Sequence, residues 1–299
     1  MLPIAFHPIY KHPLPDGHRF PMLKYELLPK QLLHEGTADK TDFFEPELAL
    51  LKNVTAIHNG AYVSDLCNLK LDVKAVRKIG FPLSAALVER EFRIAQGTIQ
   101  GCELALQHGI AFNIAGGTHH AFADSGEAFC MLNDQAIAAQ YLLNHQLAKK
   151  ILIVDLDVHQ GNGTAKIFEN NSNVFTFSMH GKSNYPFRKE TSNLDIALQD
   201  DTDDATFLDI LTTVLPQLIK NEKPDFIFYL AGVDILKTDK LGKLACTIAG
   251  CKRRDEIVLK LCRNLEIPVQ VSMGGGYSPD IKTIIDAHAN TYRVARNIF

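Results

Sequence analysis

Residues 155 to 163 read Asp-Leu-Asp-Val-His-Gln-Gly-Asn-Gly. In an extended chain successive side chains alternate, which puts Asp155, Asp157 and His159 on one side. Two carboxylates and an imidazole held together repel or desolvate one another unless a cation lies among them. Asp234, just after another apolar run, completes an Asp157, His159, Asp234 set with room left for water and substrate. Such a set suits catalytic Zn(II), or Fe(II), Co(II) or Mn(II), better than a closed structural zinc or an all-oxygen calcium cage. Read in isolation, the motif is equally a solvated loop, and Asp234 a turn residue. His119-His120 follows Gly116-Gly117 and supplies imidazoles able to exchange protons near neutral pH. One is a candidate general base and the other its electrostatic partner, while the pair alone also reads as two more metal ligands or a helix cap. General acid–base catalysis contributes roughly a hundred- to ten-thousand-fold. Tyr277, after three glycines, is placed to aim a phenol at an oxyanion, although a lone Tyr is ordinarily a packed aromatic.

These residues need elements that bring them together. Short, solidly apolar runs at 110–114, 151–155, 174–178, 226–231 and 268–272 read as buried strands. Helical segments are expected at 22–34, 46–52, 84–108 and 133–147. A further helix carries Phe207, Leu211, Val214, Leu215 and Leu218 on one face. Strands alternating with helices predict a mainly parallel sheet covered on both faces. In such sheets ligands bind beyond the carboxyl ends of the strands, where Gly, His, Asp and Tyr collect in this chain. The first 80 residues are expected to wrap the core.

The 299 residues, with 46% hydrophobic and 22% charged, have the composition of a globular protein. A formal charge of −3 gives no broad basic field for a phosphate backbone, so no direct nucleic-acid binding is expected. No apolar run reaches the roughly 18 residues of a membrane span. The amino-terminal stretch, with its His and Pro residues, does not read as a secretory signal, and a cytoplasmic location is expected. Six cysteines without a CxxC pair suggest buried thiols in a reducing compartment. Without repeats or Gly/Ser linkers, one domain over residues 1–299 is the simplest organisation.

Taken in order, AGGTHHAF, FCMLND, VDLDVHQGNG, FSMHG, AGVD and GGGY resemble the histone deacetylase superfamily over nearly the whole chain. HPLPDGHRFPMLKY, DILKTDKLGKL and KRRDEIV are most similar to its class IV branch and bacterial relatives. The resemblance implies an arginase-like α/β fold with a sheet of about eight strands. It implies zinc, or Fe(II) or another divalent metal in the cell, on Asp157, His159 and Asp234. His120 becomes the general base and later the acid, with His119 beside it held by Asp155. Asn162 orients His120, and as a neutral partner it should leave His120 less readily protonated than a carboxylate would. Tyr277 becomes the oxyanion donor. Phe129 and Tyr185 form channel walls, Arg19 lines an inner pocket, and Ala128 and Gly275 border the channel. Asp155, Asp157, His159, Ser178 and Met179 match a structural potassium site. The implied substrate is an acylated lysine in a protein or peptide, or a small acylated amine, cleaved to an amine and a carboxylate.

Ala128 stands where relatives usually carry Gly, and Pro186-Phe187 where Pro-Gly is common. From these departures an acyl preference beyond acetyl is expected. Among competing functions, a ureohydrolase of the arginase type would need Asp at position 161, which is Gly161. An amidohydrolase acting on acetylated polyamines would share the chemistry with a different rim. A non-catalytic acyl-lysine binding module is the third alternative, disfavoured by the presence of every expected ligand, both His and Tyr277.

Overall fold

Runs such as Ile151–Asp155 (ILIVD) and Phe226–Leu230 (FIFYL) show no polar alternation, and both are buried along their whole length. A strand of this kind must be covered on both faces. In the computed structural model, which describes all 299 residues, these runs form the centre of one sheet. Its strands are β1 (Ile4–Ala5), β2 (Phe43–Phe44), β3 (Ile110–Asn113), β4 (Ile151–Asp155), β5 (Val174–Gly181), β6 (Leu194–Leu198), β7 (Phe226–Leu230) and β8 (Val269–Ser272). They lie in the order β2-β1-β3-β8-β7-β4-β5-β6, and every pairing is parallel.

After β3 the chain crosses to β4, runs out through β5 and β6 to one edge, then returns to insert β7 and β8. The loops leaving β3, β8, β7 and β4 therefore open side by side on one crevice. A single cluster of 78 buried residues, from Leu2 to Ala295, joins the sheet to its helices, so the chain is one domain.

The covering helices follow the expected periodicity. In Asp204–Glu222, Phe207, Leu211, Leu215 and Leu218 are buried on one face. Ala85–His108 starts where the Ser84 hydroxyl accepts the Leu87 amide proton at 3.2 Å and stops at Gly109, whose φ of 84° suits glycine.

Three expectations need correction. Strand β5 runs on past Ser178 through His180 to Gly181, because β6, a strand the apolar pattern did not reveal, pairs with it there. The helix expected over residues 46–52 is confined to Leu51–Val54. The preceding residues are tied to the Ala85–His108 helix instead, through the Ala49 amide on the Phe92 carbonyl (3.2 Å) and Arg93 on the Pro46 carbonyl (2.9 Å). The amino-terminal region also does more than wrap the core, since it supplies edge strands β1 and β2. Two-residue strands carry no detectable period.

Candidate active site

The metal-ligand candidates come from adjacent strands. Asp157 and His159 follow β4, Asp234 follows β7, and the register pairs Asp155 with Leu230. The chain does not stay extended past Asp155. Its carboxylate accepts the Asp157 amide at 3.1 Å, and Asp157 accepts the His159 amide at 3.0 Å. These side-chain turns curl the segment, so simple alternation is not what assembles the group. Asp155 is directed to His119, while one ligand atom each from Asp157, His159 and Asp234 gathers within 4.8 Å.

His159 Nδ1 lies 3.1 Å from Asp157 Oδ1 and 3.2 Å from Asp234 Oδ2. Asp234 Oδ2 is nevertheless a buried oxygen that receives no hydrogen bond. Burial, together with the Asp157 charge, pushes the Asp234 carboxyl up to about 7. An orphaned carboxylate oxygen facing a second carboxylate and an imidazole nitrogen is what a divalent cation would resolve, so the donors fit a metal. Glycine is needed alongside. A Cβ at Gly275 would fall 2.0 Å from Asp234 Oδ2, and one at Gly232 would fall 2.2 Å from Asp157 Oδ2.

His119 and His120 are buried side by side with ring centroids 4.1 Å apart. The preceding glycines take positive φ (83° and 74°), and a Cβ at Gly117 would meet the Gly274 backbone at 3.1 Å. Asp134 clamps this loop by accepting from the Thr118 amide (2.9 Å) and hydroxyl (2.7 Å). His119 Nδ1 is 2.7 Å from Asp155 Oδ2. Burial opposes protonation of His119, but Asp155 outweighs it and the pKa rises. His120 Nδ1 is 2.7 Å from Asn162 Oδ1. Burial, then the neighbouring His119 and His159, hold its pKa well below the usual value. The two rings thus differ as acid and base.

A small inner cavity of about 40 Å³ is bordered by Tyr25, Arg90, His119, His120, Asp157 and Tyr277, among others. An outer cleft of about 440 Å³ leads to it past Phe129, Tyr185, Phe187 and Tyr277. Ala128 and Phe129, expected at the channel, border both spaces, and Gly275 borders the inner one. Ala128 sits at φ 47°, a conformation that favours glycine. Arg19 requires a correction. It is exposed in the outer cleft, its guanidinium 5.0 Å from the Phe129 ring centre, and does not line the inner pocket. Arg90 is the arginine bordering the inner cavity.

Several residues with a clear part in the site were not singled out by sequence. Lys24 is fully buried and donates to the Gly274 carbonyl at 3.1 Å. Asp239 accepts the Tyr277 amide at 2.6 Å, anchoring the glycine-rich loop. Arg254, within KRRDEIV, is fully buried against Asp255 (2.8 Å) and donates to the carbonyls of Gly232 and Leu156, bracing both ligand loops. Glu127 accepts from Asn162 and Tyr185, each at 2.6 Å. Lys24, Asp239 and Arg254 lie within HPLPDGHRFPMLKY, DILKTDKLGKL and KRRDEIV, whereas Glu127 lies between AGGTHHAF and FCMLND, outside any quoted motif. Ser178 pairs in register with Asp155, and Met179 follows it, so the expected potassium ligands share one sheet edge.

A family model described as the histone deacetylase domain matches residues 18–292. The chain is 45% identical over 297 residues to an uncharacterized protein of Picosynechococcus, covering 99% of each. It is 29% identical to histone deacetylase 2 of Arabidopsis thaliana, covering 92% of this chain and 74% of that protein. It is 28% identical to the acetoin utilization protein AcuC of Staphylococcus aureus, over 87% and 72% of the two chains. The crystal structure of the HDA15 HD domain shares the fold, with a TM-score of 0.81 at 19% identity, over 99% of this chain and 95% of that one.

Proposed function

The chain belongs to the histone deacetylase family of hydrolases, and on that premise we propose that it is a zinc-dependent deacetylase of N-ε-acetyl-lysine in a protein or peptide. The observation that carries this reading is the orphaned Asp234 oxygen facing Asp157 and His159, next to an imidazole pair and Tyr277. A bound zinc ion would polarise the amide carbonyl and lower the pKa of water, and Fe(II) is the alternative occupant.

The remaining work falls to the protein. His120, its Nδ1 occupied by Asn162, takes the proton of the attacking water at Nε2 and returns it to the departing lysine nitrogen. His119, tied to Asp155, keeps a positive field beside the developing negative charge. Tyr277 donates its hydroxyl to the oxyanion. Phe129 and Tyr185 exclude water around the lysine stem.

The inner cavity supports acetyl over longer acyl groups. Its 40 Å³ compares with roughly 10–15 Å³ for one water on the same scale, so it takes a small group and not a chain. The acyl preference beyond acetyl expected from the Ala128 and Phe187 departures is therefore not part of this proposal. Arg19, Lys78 and Lys243 line the outer cleft, which disfavours a cationic polyamine as substrate. At Gly161 a Cβ would fall 2.3 Å from Asp155 Oδ2, leaving no space for the Asp that a ureohydrolase needs there. Potassium on Asp155, Asp157, His159, Ser178 and Met179, a class IV-like placement and a cytoplasmic location remain parts of this proposal. No helix is long and apolar enough to cross a membrane. Comparing turnover of an acetyl-lysine peptide, a long-chain acyl-lysine peptide and acetylspermidine tests the reading. A preference for either of the latter two would replace it.

A further inference from the structure

An asparagine amide can face its neighbours in two ways, and an imidazole can carry its proton on either nitrogen. Around His120 both choices are settled by Glu127. An ionised carboxylate only accepts hydrogen bonds. With Glu127 Oε1 2.6 Å from Asn162 Nδ2, that atom must be the amide NH2. Asn162 Oδ1 then faces His120 Nδ1 at 2.7 Å, and because a carbonyl oxygen only accepts, Nδ1 must carry the proton. The neutral ring has one N–H, which leaves Nε2 with its lone pair.

We propose that Glu127 is a positioning residue that sets the tautomer of His120 through Asn162, keeping Nε2 available as the base. The proposal rests on the deacetylase reading for the use made of that nitrogen. Glu127, Asn162 and His120 are all buried, so water does not compete for these bonds. The carboxylate stays charged because Lys78 Nζ lies 2.5 Å from Oε2 and the Tyr185 hydroxyl donates to Oε1 at 2.6 Å. Burial works against that charge, yet the bonds from Lys78, Tyr185 and Asn162 outweigh it and hold the pKa below its ordinary value.

The local fold delivers these partners. The Ala128 and Phe129 amides donate to the Lys78 and Ile79 carbonyls at 3.0 and 2.6 Å, which docks the Glu127 turn on the Val73–Ile79 helix. The two histidines are consequently oriented by different means. His119 touches a carboxylate directly, whereas His120 reaches one through an amide. An amide relay fixes the proton without placing a second negative charge against the base, which would favour its protonated form.

The test uses the full, metal-loaded chain. Nitrogen-15 NMR of the histidine rings, with His120 assigned by the signal lost in His120→Gln, should show wild-type His120 protonated on Nδ1. Protonation on Nε2 would overturn the proposal whatever the activity. In Glu127→Gln the new amide can turn its own NH2 toward Asn162. Mixed tautomers should follow, with kcat lowered about ten-fold or more and KM changed less than about two-fold. Adding Asn162→Asp to that variant puts a carboxylate directly on Nδ1–H and should restore kcat to within about three-fold of wild type. Asn162→Asp alone faces Glu127 with a second carboxylate and should be slower than the double variant. A double variant no better than the worse single would mean that Glu127 only supports the fold, and would refute the assignment. Should Glu127→Gln fail to fold, the wild-type tautomer and the comparison of Asn162→Asp with the double variant decide. Because NMR reads the proton without turnover, a chain that cleaves no acylated amine would refute the function and leave the tautomer assignment standing.

Discussion

The Gly275 amide donates a 2.8 Å hydrogen bond to Asp157 Oδ2, while the space its missing side chain would occupy is filled by Asp234 Oδ2. One glycine thus orients one ligand and admits another. Gly275→Ala should displace Asp234 and weaken metal binding about ten- to a hundred-fold, as loss of a ligand-orienting contact commonly does. Competition with a metal-sensitive chelator dye measures this. Unchanged affinity in a folded variant would mean that Asp234 is not a ligand.

Arg254 fills a fully buried position whose guanidinium meets Asp255 and the carbonyls of Gly232 and Leu156. Arg254→Met strands the Asp255 charge and unbraces both ligand loops. The expected loss is about 3–5 kcal/mol of stability in urea unfolding, accompanied by weaker metal binding. A loss below about 1 kcal/mol would show that the brace is dispensable.

His58 gives an acid-side stability test away from the metal. Its Nε2 accepts the Asn133 amide at 2.9 Å, and burial pushes its pKa down to about 4 from 6.5. On acidification the unfolded chain takes up this proton near pH 6.5, while the folded chain resists until about pH 4. The favourable contribution is therefore intact above pH 6.5 and lost as pH falls through that window, up to about 3 kcal/mol. Urea unfolding between pH 7.5 and 4 should show a steeper decline for wild type than for His58→Gln. Parallel curves would sink the assignment.

Tyr277→Phe removes the hydroxyl and keeps the ring between Phe129 and His159. The expected outcome is a fall in kcat of about a hundred- to a thousand-fold with metal content unchanged. Wild-type kcat in this variant would remove Tyr277 from the chemistry.

Much of this site was legible because apolar strands end in chemically distinctive residues. The runs at 151–155 and 226–231 announce themselves, and the Asp, His and Asp beyond them need only adjacent strands to meet. What escaped has identifiable physical causes. Strands β1 and β2 are too short to show a period, and β6 is only partly buried. Arg19 was assigned to an inner pocket because a motif does not reveal which face of Phe129 a long side chain takes. Glu127, Asp239 and Arg254 act through hydrogen bonds across 35, 38 and 98 residues of sequence, distances over which no local pattern survives.

The most direct measurement is turnover of an acetyl-lysine peptide alongside metal content while zinc is withdrawn by chelator and returned. The three-ligand group predicts one zinc per chain, with activity lost and regained in proportion to occupancy. Undiminished hydrolysis by the metal-free chain, or no hydrolysis by the fully loaded one, would contradict the account.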